Sequence, residues 1–125
     1  MVKSFPSAVR VAEKAGHPRV GVLFDTAHYH VTPTKLSDFD ADAVRWIKHV
    51  HVNDMPDKPA DLTHRDSDRV LPGEGVLDLR EIIGTLEQGG YDGFFSLEMF
   101  NADLWRLPAK EAARRCYESL LPLCD

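Results

Sequence analysis

Two hydrophobic periods alternate along the chain. Ser7 to Ala15 carries apolar residues at helical spacing and stops at Gly16, a suitable residue just past a helix end. Val20 to Phe24, in "RVGVLFDTAH", is a short apolar run that ends abruptly in polar residues, the pattern of a strand buried on both faces. Asp38 to Lys48 predicts a second helix with Phe39, Ala43, Val44 and Ile47 on one face, and "IKHVHVND" predicts a second strand. Asp78 opens a third helix with Glu81 as capping-box partner; Leu79, Ile82, Ile83 and Leu86 form its stripe, and Gly89-Gly90 ends it. "FFSLEMF" predicts a third strand. A last helix starts near Pro108, with Ala113, Cys116, Tyr117, Leu120, Leu121 and Cys124 as its buried face. Three strands alternating with four helices imply an α/β fold with a parallel sheet and right-handed crossovers, in a single domain over residues 1–125. The loop from Met55 to Pro72 is long for a compact domain, and loops of that length are often functional.

Composition narrows the class. The 125 residues are 43% hydrophobic and 28% charged, ordinary for a globular chain. No apolar run approaches the roughly 20 residues of a membrane span, and the N-terminus lacks the apolar core of a signal peptide, so a cytoplasmic protein without a membrane partner is expected. A net charge of −5 argues against nucleic acid, whose phosphates need clustered Lys and Arg. Cys116 and Cys124 lie eight residues apart, about 12 Å along a helix, too far for a disulfide. They are expected reduced and buried.

The ends of the strands carry the candidate chemistry. The first ends in Asp25, with His28 three residues later; the second carries His51 and Asp54; the third ends in Glu98. In a parallel α/β sheet all strand C-termini lie at one edge, where ligands bind. Asp25, His51 and Glu98 are therefore aimed at one place. Two carboxylates with an imidazole suit Mn²⁺, Mg²⁺, Co²⁺ or Zn²⁺. Each residue also has a plainer reading: Asp25 as a helix N-cap, His51 as a hydrogen-bonded strand-end histidine. Glu98 has the least comfortable one, since a carboxylate in an apolar strand is costly without a partner. His49 is read as structural. Arg69 can clamp a hydroxylate, carboxylate or phosphate by bidentate bonds, or simply pair with Asp66 or Asp68. His28 can bind a substrate hydroxyl or relay a proton. His17, His30 and His64 are expected in solvent; Trp46 and Trp105 are ambiguous, and Trp105, after the third strand's loop, can line a pocket wall.

"GVLFDTAH", "HVHVND", "DRVLPGEG", "GGYDGFFSLEMF" and the closing helix resemble the C-terminal half of the xylose-isomerase-like TIM barrels. More narrowly, they resemble the sugar phosphate isomerase/epimerase group, with its ketose 3-epimerases and inosose dehydratases. The resemblance implies a partial barrel, about half of one. It implies one divalent metal on Asp25, His51 and Glu98, with His28 and Arg69 binding substrate. The implied function is isomerisation or epimerisation of a sugar or inositol by proton transfer through an enediolate, with Glu98 and His28 as the catalytic groups. The family's further Glu ligand lies on a strand before the first helix seen here, so the resemblance leaves this chain one ligand short. It therefore also allows an incomplete fragment serving in binding or assembly, or an inosose dehydratase-like lyase. A related branch, the apurinic endonucleases, is disfavoured because Val70 stands where that branch has a metal-binding His. The open sheet edges of a half barrel lead to the expectation of a homo-oligomer, a dimer in the simplest case.

Overall fold

The computed structural model describes residues 2–59 and 64–124. Its centre is a three-stranded parallel sheet in the order β1 (Val22–Asp25), β2 (Ile47–Val52), β3 (Phe95–Leu97). The register sets Asp25 opposite His51 and His51 opposite Ser96. Because side chains alternate along a strand, this puts Leu23, Asp25, His49, His51 and Ser96 on one face. Phe24, Val50, Val52, Phe95 and Leu97 lie on the other.

The second face builds the core. Helix α1 (Phe5–Ala15) starts under the Ser4 hydroxyl, which accepts from the Ser7 amide, and ends at Gly16 in the left-handed conformation at φ 60°. Phe5, Val9 and Ala12 form its buried stripe. The Phe5, Phe24 and Phe39 rings pack together, with centroids 4.6 Å apart for Phe5–Phe39 and 5.1 Å for Phe24–Phe39. Helix α4 (Leu79–Gln88) begins under its predicted N-cap, with the Asp78 carboxylate accepting from the Glu81 amide at 2.9 Å, the one half of the expected capping box that the structure shows. Leu79, Ile82, Ile83 and Leu86 are all buried. Full burial of Val50, Val52 and Leu86 contributes about 1.5–3 kcal/mol each.

The structure corrects several expectations. The helix expected over 38–48 is only a 3₁₀ turn at Leu36–Asp38 and a short helix α3 (Ala41–Val44), because strand pairing claims the chain from Ile47 onward. Two further short helices, α2 (Thr26–His30) and α5 (Ala102–Trp105), follow β1 and β3. A side-chain cap starts each: Asp25 accepts from the Ala27 and His28 amides, and Asn101 from those of Asp103 and Leu104.

The stripe on α6 (Ala109–Leu120) is not buried; Tyr117 is 64% and Leu121 43% exposed. Only Leu120, and Leu123 just beyond the helix, pack against the core. Cys116 is half-buried and Cys124 exposed, both as free thiols. Trp105 is 63% exposed rather than set against a pocket wall. His30 and His64 are not free in solvent: their rings meet edge to face at 5.1 Å. Part of the long loop, residues 60–63, lies outside the described residues. No helix among the described residues is long and apolar enough to cross a membrane.

Candidate metal centre

Asp25, His51 and Glu98 meet at the C-terminal edge of the sheet. Each offers a ligand atom, and the three atoms lie within 4.8 Å of one another. Asp25 ends β1, and its two oxygens divide their work. Oδ1 caps α2, accepting from Ala27 at 2.9 Å and His28 at 3.1 Å. Oδ2 faces His51 Nδ1 at 3.8 Å. The capping reading and the ligand reading of Asp25 are thus compatible. His51 Nδ1 also lies 3.3 Å from Glu98 Oε2. Two atoms bound to one ion at about 2.0–2.2 Å each sit roughly 3–3.5 Å apart, so the set is close to first-coordination spacing. Its chemistry, two carboxylate oxygens and an imidazole nitrogen, suits a divalent cation.

The surroundings are built to hold this geometry. Asn53, fully buried, directs its amide at both Asp25 oxygens at 3.4 Å and at the Glu98 carbonyl at 3.5 Å. The Thr26 hydroxyl donates to the Asn53 carbonyl at 2.6 Å and accepts from its amide at 2.9 Å. This clasp locks the ends of β1 and β2 together.

Asp54 turns the other way and organises the following loop. It accepts from the amides of Met55, Gly73, Gly75 and Leu77. Its own backbone pairs with Val70 in an isolated antiparallel bridge. Arg69 is thereby carried into the centre and is only 2% exposed.

Arg69 is engaged on three sides. Nη1 donates to Glu98 Oε2, and Nη2 lies 3.4 Å from both Asp25 Oδ2 and Asp66 Oδ1. The Phe100 ring covers the guanidinium at 5.1 Å. Of the two expected loop partners, Asp66 pairs with Arg69, while Asp68 pairs with Lys58 at 3.1 Å. Burial pushes the Glu98 carboxyl up, but the Arg69 hydrogen bond and the charges of His51 and Arg69 outweigh it, so Glu98 sits below its usual value.

His28 is not part of the cluster. It is exposed on α2, at the rim of a cavity of about 280 Å³ that Phe5, Phe24, Asp25 and Tyr29 help to line. Asn53 and Thr26 carry no motif that marks them in the sequence. Asn53 alone left a trace, since it shares the odd-numbered register of His49 and His51.

A family model described as xylose isomerase-like TIM barrel matches residues 1–120. The chain belongs to the xylose isomerase-like TIM barrel family. Over 113 residues it is 31% identical to an inosose isomerase of Halalkalibacterium halodurans, covering 90% of this chain and 40% of that protein. It is 32% identical over 91 residues to an inosose dehydratase of Lacticaseibacillus casei, covering 64% of this chain and 30% of the relative. A crystal structure of the IolI protein with a bound zinc atom superposes with a TM-score of 0.90 at 25% identity, covering 98% of this chain and 44% of that one. A Sinorhizobium meliloti protein of 30% identity superposes at 0.82, covering 99% and 44%. The chain thus spans about two fifths of the length of the inosose isomerase it matches. The three parallel strands and their helices form part of a family barrel.

Proposed function

We propose that this chain contributes the metal-binding edge of a divalent-metal-dependent sugar or inositol isomerase/epimerase. The reading rests on one observation above all, the convergence of Asp25, His51 and Glu98 from three strand ends. The names of the relatives, inosose isomerase and inosose dehydratase, support a cyclic keto-polyol as substrate class. Both reaction types can begin by removing a proton from the carbon beside a carbonyl, so the residue roles are the same for either.

Asp25, His51 and Glu98 would hold the cation. When bound, it supplies Lewis-acid polarisation of a substrate carbonyl. Glu98, with its side chain 35% exposed, is the carboxylate placed to take and return the substrate proton. Asp25 is too deeply buried and too committed to α2 for that role, with a side chain 3% exposed. His28 at the rim would meet a substrate hydroxyl, and Arg69, 2% exposed and held by Glu98, Asp25 and Asp66, would meet the substrate's oxygen-rich end only on leaving the two metal-site carboxylates. Self-association is part of the reading, because Leu23 and Phe94 present apolar surface at 53% and 83% exposure.

The test is solvent deuterium incorporation. The protein is incubated with inosose and Mn²⁺ in D₂O and followed by proton NMR. Exchange beside the carbonyl is expected for the wild-type chain and lost in Glu98→Gln. Metal-loaded wild-type protein that leaves every such proton unexchanged overturns the reading.

A further inference from the structure

We propose that Arg69 and a divalent ion compete for the same oxygens of Asp25 and Glu98, so that an ion held there displaces the Arg69 guanidinium towards Asp66. The inference rests on the metal-centre reading above and concerns what that centre must do to accept an ion.

Arg69 does not merely lie near the candidate ligands. It contacts the same two oxygens that face His51: Nη1 holds Glu98 Oε2, and Nη2 lies 3.4 Å from Asp25 Oδ2. The Asp25 side chain is 3% exposed. A carboxylate with so little water needs a cation close by, and Arg69 supplies it to Asp25 while also holding the more exposed Glu98. A divalent ion on the same oxygens is a second answer to the same need. Both cations together exceed the charge of Asp25 and Glu98 by one, and like charges at contact distance repel.

Asp66 resolves that excess. Its Oδ1 already lies 3.4 Å from Nη2, and its side chain is 66% exposed. An ion's two charges and Arg69's one are then balanced by the three carboxylates. Among the described residues the Arg69 Nε has no hydrogen-bond partner, so the guanidinium is held through its Nη atoms alone. A guanidinium serving only as a strut would have its donors satisfied. The Phe100 ring, 5.1 Å from the guanidinium carbon, offers a face along which the planar group can slide.

The experiment titrates Zn²⁺ into metal-stripped protein by calorimetry and chelator competition, in the wild type and in Arg69→Gln, Asp66→Asn and Asp68→Asn. Arg69→Gln is expected to bind Zn²⁺ at least tenfold more tightly and to gain more in melting temperature from the ion than the wild type does. Asp66→Asn is expected to bind several-fold more weakly. Asp68→Asn, whose carboxylate pairs with Lys58, is expected to bind like the wild type. Unchanged or weaker binding by a folded Arg69→Gln overturns the proposal. If that variant does not fold, wild-type affinity in Asp66→Asn overturns it. Absence of binding in both the wild type and Arg69→Gln instead overturns the metal-centre reading, and this inference with it.

Discussion

Replacing Asp54 with asparagine tests how the fold delivers Arg69 to the centre. The carboxylate is 1% exposed and holds four backbone N–H groups. Oδ1 accepts from Met55 at 2.8 Å and Leu77 at 3.0 Å, and Oδ2 accepts from Gly73 and Gly75 at 3.1 Å each. An asparagine of the same shape must turn its NH₂ towards one of these donor pairs. Two donors then lose their acceptor, at about 1–3 kcal/mol each, so the expected loss is roughly 2–6 kcal/mol. That is a large part of the ~5–15 kcal/mol available to a domain. Urea unfolding followed by circular dichroism and tryptophan fluorescence measures it. With a slope of about 1–2 kcal/mol per molar, the midpoint falls by about 1 M or more. A shift below about 0.5 M at unchanged slope refutes the view that Asp54 organises the loop.

Three further outcomes are expected. Gly75→Ala places a methyl group onto the Asp54 carboxylate and the Met55 carbonyl, so it costs about 1–3 kcal/mol by the same urea assay. Asn53→Ala removes the amide that orients Asp25, and chelator competition is expected to read a ~10–100-fold weaker metal affinity. Burial and the neighbouring His64 charge lower the pKa of His30 in the folded chain, so as pH falls below about 6.5 the unfolded chain takes up this proton first. Stability from this group is therefore full above that pH and declines until the folded value is passed. Melting temperatures from pH 7.5 down to 5.5 are expected to fall less steeply in His30→Gln.

The strands and their polar ends were readable because a short apolar run broken by polar residues marks a strand end, although within this chain only the face of Phe24, Val50 and Val52 is buried and Leu23, expected inside, is 53% exposed. Asp25, His51 and Glu98 were visible for that reason. Helix α4 was visible because its cap and its stripe agree. The stretch from Asp38 to Lys48 misled because the apolar spacing of Phe39, Ala43, Val44 and Ile47 suits a helix, while pairing of β2 with β1 takes Ile47 into the sheet. The α6 stripe misled differently: its periodicity records a helix, but Tyr117 and Leu121 find little within this chain to cover them. Arg69 was noticed as a loop cation, but no local pattern reveals that a loop anchored on Asp54 folds it onto Asp25 and Glu98. Asn53 and Thr26 act through a clasp between strands, and neither carries a local signal of its partner.

The central claim is that Asp25, His51 and Glu98 hold one divalent ion. Anomalous diffraction from a crystal soaked in Zn²⁺, recorded above and below the zinc edge, tests it most directly. A single strong peak is expected about 2.0–2.2 Å from a ligand atom of each of the three residues, absent from crystals of His51→Gln. No peak at this position in the wild-type crystal, or a peak that persists in His51→Gln, contradicts it.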